Sequence, residues 1–301
     1  MRVLVSGSNG LVGHALTAHL NKGGHETVAL RRAKVALPSE RIMMWESICR
    51  QTWEQDIGPV DAVVHLAGEN IAAHRWTRNV KQRIHDSRIL GTEQLCRYLA
   101  NLTEKPGVLV AASAVGYYGD RGDESLTEKS APGTGFLADV CRDWEAACLP
   151  AAQAGIRVVN LRFGMVLAKN GGVLAKLLPI FRLGLGGRLG GGNQWTSWIV
   201  LEDLIGVIER ALFDGSLKGP VNAVSPNPVK NREFTQILGR VLHRPAVFVL
   251  PAALLHAAKG EMADPLLLAS ARVKPSRLLE IGFQFRHPDL GTALKSTILI
   301  E

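Results

Sequence analysis

Apolar positions along the first half of the chain switch repeatedly between two periods. Arg2–Ser6 is a short β-rich run that enters a Gly-rich turn. From there Leu11, Val12, Ala15, Leu16 and Leu20 recur at helical spacing, and Gly23-Gly24 ends that helix. Residues 26–30 read as a second strand, 42–45 as a short third, and 62–66 as a fourth. The fourth is almost continuously apolar, as a strand covered on both faces must be. A long amphipathic helix over 77–101 carries Ile84, Ile89, Leu95 and Leu99 on one side. Residues 108–112 are a fifth strand, 136–153 a helix and 156–161 a sixth strand. Strands alternating with helices predict an α/β fold, a doubly wound parallel sheet built from right-handed crossovers.

After Gly164 the texture changes. Residues 184–193 are loaded with Gly, between a Leu-rich helix (173–183) and a Trp-containing segment. This predicts a smaller, interleaved lobe, dividing the chain into 1–165 and 166–301, with 219–224 apolar enough to return as another strand of the first unit.

Composition narrows the function classes. With 47% hydrophobic and 21% charged residues among 301, the chain is not disordered. The longest apolar stretch, 246–258, is interrupted by Pro251 and His256 and falls short of the ~20 residues a membrane span needs. The run Val3 to Val5 is too short for a signal core, so a cytoplasmic protein is expected, without a membrane partner. Four cysteines without a Cys-x-x-Cys pair fit a reducing compartment, and nine histidines without metal-ligand spacing argue against a metal site. The net charge of +8 is scattered, with no block of five or six like charges, which disfavours a nucleic-acid partner.

The sharpest motif is Gly7-Ser8-Asn9-Gly10-Leu11-Val12-Gly13, lying directly between a strand and a helix. Gly7, Gly10 and Gly13 permit a tight turn and let backbone N–H groups approach a pyrophosphate, which the helix N-terminus then attracts. The spacing is Gly-x-x-Gly-x-x-Gly, one residue longer at the start than the usual dinucleotide fingerprint. An NAD-selective site carries an acid at the end of the second strand to accept from a ribose hydroxyl. Here Arg31 and Arg32 follow Leu30, and guanidinium groups suit a 2′-phosphate, so NADP(H) is the expected cofactor.

Further segments carry a resemblance. They are residues 61–68 (DAVVHLAG), Gly68-Glu69-Asn70-Ile71, Arg75-Trp76, Ser87-Arg88, Gly116-Tyr117-Tyr118-Gly119-Asp120, Trp144-Glu145, Arg162-Phe163-Gly164, residues 181–187 (FRLGLGG), residues 222–226 (NAVSP), Phe283-Gln284-Phe285 and Pro288-Asp289-Leu290. In these the chain resembles the atypical extended short-chain dehydrogenase/reductases of the "epimerase family protein" subgroup, within the NAD-dependent epimerase/dehydratase superfamily. It departs from that pattern at Trp198-Ile199-Val200, where the subgroup has a histidine in the third place. The resemblance implies a Rossmann-type fold, contacts from Leu66 and Ala67 to the adenosine half, and contacts from Arg88, Val166 and more weakly Arg83 on the nicotinamide side. The competing reading of Arg83 and Arg88 is a solvated helix face. A homodimer through the helices at 77–101 and 136–153 would be in the style of the superfamily.

Ordinary members also carry Tyr and, four residues later, Lys on one helix, and use them as a proton relay. Anchored on Glu145, those positions fall at Leu137 and Cys141, so the relay is missing. The remaining candidate catalytic hydroxyls are Ser113, Tyr117 and Tyr118, at the end of the fifth strand; the alternative is that the tyrosines pack in the cleft wall. Two readings therefore stand. One is an NADP(H)-dependent oxidoreductase or epimerase acting on a small, unidentified, nucleotide-linked or similar substrate. The other is an NADPH-binding sensor or regulator without a redox step.

Overall fold

Seven apolar runs pair into a single all-parallel sheet: β1 (Arg2–Ser6), β2 (Glu26–Arg31), β3 (Arg41–Met44), β4 (Ala62–His65), β5 (Val108–Ala114), β6 (Arg157–Phe163) and β7 (Gly219–Ala223). Their spatial order is β7-β6-β5-β4-β1-β2-β3. The computed structural model describes residues 1–31, 41–45, 48 and 58–299. The doubly wound parallel fold expected from the sequence is the fold found.

Strand alternation explains the layering. Val3, Val5, Ala62, Val64, Val108, Val110, Val159 and Leu161 face one buried cluster, with Leu16 and Leu20 of α1 (Leu11–Lys22) packed against them. Their neighbours Leu4, Val63, Leu109 and Val158 face the opposite cluster, covered by Leu95, Cys96 and Leu99 of α2 (Arg78–Asn101). One residue along a strand reverses the face, so a helix is needed on each side. The predicted single helix over 136–153 is instead two, α3 (Phe136–Ala146) and α4 (Leu149–Gln153). Pro150 is the reason: it lacks an N–H and would clash with the preceding turn, so it sits in the first turn of a new helix.

Part of the chain after β6 builds a second buried cluster. In it Leu174, Leu178 and Phe181 of α5 (Gly172–Arg182) and Phe234 and Leu238 of a later helix pack with Trp198, Leu290 and Leu294, whereas α6 (Leu201–Phe213), which precedes that helix, α7 (Asn231–Val241), packs Leu204, Ile205, Val207 and Ile208 onto the sheet face that α1 covers. The Gly-rich run Gly187–Leu189 pairs with Phe248–Leu250. Glu202 and Asp203 occupy the first turn of α6, where their charge suits the helix dipole. They also hold the chain's last segment: Asp203 accepts from the Arg286 and His287 N–H groups at 2.8 and 3.0 Å. Among the described residues no helix is long and apolar enough to cross a membrane, and no group of three acids, histidines or cysteines is placed to hold a metal.

A buried polar chain ties the sheet to the helices above it. Ser6 Oγ accepts from the Leu66 and Ala67 N–H groups at 3.1 and 3.3 Å. Its own hydrogen then goes to His65 Nδ1, 2.6 Å away, which leaves Nε2 as the donor to Thr92 Oγ1 on α2 at 3.0 Å. Trp144 Nε1 on α3 donates to the same oxygen at 2.9 Å. Thr92 thus serves two buried donors. Thr92→Val, nearly the same in shape, strands both, and at roughly 1–3 kcal/mol per buried unsatisfied group is expected to lower unfolding free energy by about 2–4 kcal/mol in urea titration. A loss near zero would show that the chain carries no such weight.

Candidate active site

The strand order reverses between β1 and β4, and the crevice at their C-terminal ends is where open α/β sheets bind ligands. The glycine loop lies there, and its three glycines do different work. Gly7 has φ of +72°, and any side chain on it would lie 2.9 Å from the Leu66 carbonyl carbon and 3.0 Å from the Ala67 nitrogen. Gly13 is locked by packing, since a Cβ there would stand 2.2 Å from the Gly7 oxygen. Gly10 is the exception. A Cβ there would touch only the Gly7 oxygen, at 3.3 Å, so the space above it is open. Gly10 is also the N-cap of α1, and no side chain caps the helix. The first-turn N–H groups are therefore available to an anion, and the buried Ser8 Oγ beside them has no hydrogen-bond partner among the described residues. A dinucleotide pyrophosphate fits this cradle.

The other expected cofactor residues gather unequally around it. Leu66 and Ala67 touch the glycine loop, as described. Arg31 ends β2, half-buried, while Arg32 lies outside the described residues. Arg88 lies against Gly68, where a Cβ would come within 3.1 Å of the guanidinium carbon. Its guanidinium also sits 5.0 Å from the Trp144 ring centroid, and burial lowers its pKa. Val166 follows β6, and its carbonyl would lie 3.2 Å from a Cβ at Gly172, itself next to Leu11 at the start of α1. Arg83 is exposed and stands 3.9 Å from Glu69 Oε1.

The positions of the absent relay do face this edge. A side chain at Gly116 would meet Leu137 Cβ and Cys141 Sγ at 3.5 and 3.7 Å. Burial pushes the Cys141 thiol up to about 12, so it is no nucleophile or base near neutrality. The space is organised instead by an ion pair the sequence reading missed. Arg162 Nε and Nη2 donate to Glu145 Oε1 and Oε2 at 2.7 and 2.8 Å, a bidentate pair with side chains 3% and 13% exposed. Ser113 and Arg162 are register partners on β5 and β6, and Ser113 Oγ donates to Glu145 Oε1 at 2.7 Å. Arg162 Nη1 donates to the Tyr118 hydroxyl at 2.9 Å, and that hydroxyl donates onward to Asn222 Oδ1, 2.7 Å away on β7. Asn222 in turn donates to the Lys274 carbonyl.

This network separates the three candidate hydroxyls. The Ser113 hydrogen is spent on a carboxylate. Tyr118 is fully buried, and its pKa is raised to about 12, chiefly by burial. Tyr117 is half-buried, with the Arg162 guanidinium 3.4 Å from its ring centroid, and its hydroxyl has no hydrogen-bond partner among the described residues. A signal for the network was present in the sequence: Arg162 interrupts a strand that is otherwise buried, and a buried guanidinium requires an acid.

Two measurements check this electrostatic arrangement. Glu145→Gln leaves Arg162 buried without its counter-charge and is expected to cost about 3–5 kcal/mol in urea unfolding. The second uses alkaline pH. Because the folded-state pKa of Tyr118 lies above the ~10 of an unfolded tyrosine, its contribution is complete below pH ~10 and is lost as pH rises toward 12. Between pH 9 and 11 the native protein is expected to lose about 1 kcal/mol more than Tyr118→Phe. Parallel losses would show that Tyr118 does not titrate differently in the folded state.

Comparisons with known proteins identify the family. A model described as the NAD dependent epimerase/dehydratase family matches residues 3–223, and one described only as a domain of unknown function matches residues 250–297. An epimerase family protein of Mycobacterium tuberculosis is 44% identical over 292 residues, covering 97% of this chain and 96% of that protein. The crystal structure of human epimerase family protein SDR39U1 (isoform 2) with NADPH superimposes with a TM-score of 0.92 at 34% identity, covering 100% of both chains. A nucleoside-diphosphate sugar epimerase from Corynebacterium glutamicum gives 0.80 at 39% identity, over 99% of this chain and 58% of that one. A parallel sheet with a glycine loop at its switch point, matched by sequence along almost its whole length, identifies the chain as a member of the NAD dependent epimerase/dehydratase family.

Proposed function

We propose that the chain binds NADP(H) in the crevice between β1 and β4 and carries out a slow redox or epimerase-type step on a small molecule there. The observation that carries this reading is the open, uncapped start of α1 over Gly10, with Arg31 rather than an acid ending β2. The human relative crystallised with NADPH supports it. The glycine loop and the α1 N-terminus would hold the pyrophosphate, Arg31 and Arg32 the 2′-phosphate, Leu66 and Ala67 the adenosine side, and Arg88 and Val166 the nicotinamide side. The nicotinamide, when bound, supplies hydride transfer. The protein's part is to position the substrate oxygen and move its proton.

Tyr117 is the residue proposed for that proton. It belongs to the turn that follows β5, is half-buried, and its hydroxyl has no partner among the described residues. Ser113, with its hydrogen held by Glu145, can accept from a substrate hydroxyl and orient it. The positive Arg162 beneath the Tyr117 ring favours negative charge developing nearby. No lysine adjoins this tyrosine on α3, so turnover is expected to be slow.

One specific observation favours a second reading, a cofactor-binding protein without turnover. Two of the three candidate hydroxyls are tied into the Glu145–Arg162 network, which looks built for rigidity.

Titration calorimetry tests the cofactor. NADPH is expected to bind more tightly than NADH. Replacing Arg31 and Arg32 by Ala is expected to cost about 2–4 kcal/mol with NADPH, the loss of roughly two charge-assisted contacts, and to leave NADH nearly unchanged. Gly10→Val is expected to abolish binding while the protein still melts cooperatively, because the added side chain fills the cradle and meets little of the fold. Equal affinity for the two cofactors would overturn the assignment. For the chemistry, NADPH oxidation is followed against a carbonyl and nucleotide-sugar panel. Tyr117→Phe is expected to cut any turnover by ~10²-fold with NADPH affinity unchanged. Tight NADPH binding with no turnover on the panel would favour the second reading.

A further inference from the structure

We propose that the exposed apolar ribbon at residues 247–250, with the loop and helix beside it, docks on an anionic lipid bilayer, lying on its surface without crossing it. The proposal does not depend on the cofactor assignment. Of the large hydrophobic side chains exposed among the described residues, more than half fall in two segments, 180–185 and 247–254. The two segments are neighbours. Strand Phe248–Leu250 pairs in parallel with Gly187–Leu189, and a Cβ at Gly184 would lie 3.7 Å from the Pro245 ring. Arg244 Nε also donates to the Arg182 carbonyl at 2.9 Å. The helix that follows the strand, Ala252–Lys259, buries only Leu255. A concentrated apolar surface of this kind marks an interaction site.

Charge selects the occupant. No Asp or Glu occurs from 146 to 201 or from 234 to 260, the stretches that build this surface. Arg182, Arg188, Arg244 and Lys259 are exposed, and none forms an ion pair among the described residues. The acids that come next along the chain, Glu261 and Asp264, are already matched by Lys81 and His256 at 2.7 and 2.8 Å. A second copy of the chain would set these cations against themselves, because a two-fold interface brings a patch onto its own equivalent. An anionic surface complements them.

The shape of the ribbon separates a bilayer from an acidic protein. Successive strand residues point to opposite sides, yet Phe248 is 51% exposed and Val249 46%. The ribbon is therefore bare on both faces. A protein docked on one face would leave the other in water, whereas the interfacial zone of a bilayer surrounds a protruding ribbon. Arg188 is the register partner of Val249 and shares its side, so a cation stands beside the apolar group, as the boundary between headgroups and acyl chains requires. The apolar stretch 246–258 is too short to span a membrane, but length excludes only a span and not a surface contact.

Cosedimentation of the native protein with vesicles tests the proposal. Vesicles of equal parts phosphatidylcholine and phosphatidylglycerol are expected to carry the protein down at low salt, and vesicles of phosphatidylcholine alone are not. Added salt is expected to weaken the binding. Val247→Asp and Phe248→Asp, on opposite faces, are each expected to lower the partition coefficient by roughly 10-fold, and Arg188→Gln by about 5-fold. If either strand variant does not melt cooperatively, Leu254→Asp on the neighbouring helix carries the test. No binding of the native protein to the mixed vesicles overturns the proposal. Binding that every substitution leaves unchanged also overturns it, by tracing the attraction to charge elsewhere on the protein. Loss with the variant of one face alone would identify a one-sided site for an acidic protein. Dimerisation without lipid that Val247→Asp abolishes would identify a second copy. Either of these results overturns the bilayer assignment.

Discussion

The buried pair between Glu145 and Arg162 is the constraint around which the ligand edge of the sheet is organised. A guanidinium placed on a buried strand needs a counter-charge, and α3 supplies it from directly above. The pair reaches β5 through Ser113 and the outer strand β7 through Tyr118 and Asn222. Asn222 then donates to the carbonyl of Lys274. One ion pair thereby ties together three strand ends, a helix and the segment around Lys274. A pair of this kind is weak evidence for stability, because desolvation offsets much of the attraction. Its effect is specificity, since losing either partner leaves an uncompensated charge.

A second polar chain does the same on the other side of the crevice. Ser6, His65, Thr92 and Trp144 link β1 and β4 to α2 and α3. His65 is fully occupied as a bridge between two hydroxyls, so its presence beside the glycine loop needs no catalytic explanation. Between the two chains lie Gly68, Arg88 and Cys141, the region where a ligand lying over Gly10 would extend. The floor of the crevice is thus cross-linked by hydrogen bonds, and among the described residues spare hydrogen-bonding capacity is found at the first turn of α1, Ser8 and the Tyr117 hydroxyl.

Much of this was legible in the sequence. Period-two apolar runs, each followed by a helical period, required a parallel sheet covered on both faces, and the glycine loop marked its switch point. The helix at 136–153 was misread because Pro150 lies inside a continuous apolar period, which hides the break its missing N–H imposes. The polar network was harder to see. Glu145 and Arg162 are brought together by packing of α3 over β6, and Arg162 meets Ser113 only through strand register. Yet a trace existed: on the face covered by α2 and α3, β1, β4, β5 and β6 all become polar near their C-terminal ends, at Ser6, His65, Ser113 and Arg162. Strands that are apolar for most of their length and polar at one shared end mark the edge where ligands bind. Arg88 was marked only by the resemblance, because its contacts with Gly68 and Trp144 come from other elements.

The central claim is that NADP(H) lies over Gly10 and crosses β4 toward Arg88. Amide hydrogen exchange read by mass spectrometry, with and without saturating NADPH, tests it most directly. The account predicts that peptides covering residues 7–14 and 66–69 exchange more slowly with the cofactor, as first-turn N–H groups and the neighbouring backbone become covered. Peptides from α7, which packs in the separate cluster with Trp198 and Leu290, are predicted to exchange at the same rate in both states. Unchanged exchange at residues 7–14 under saturating NADPH, or protection concentrated on α7, would contradict it.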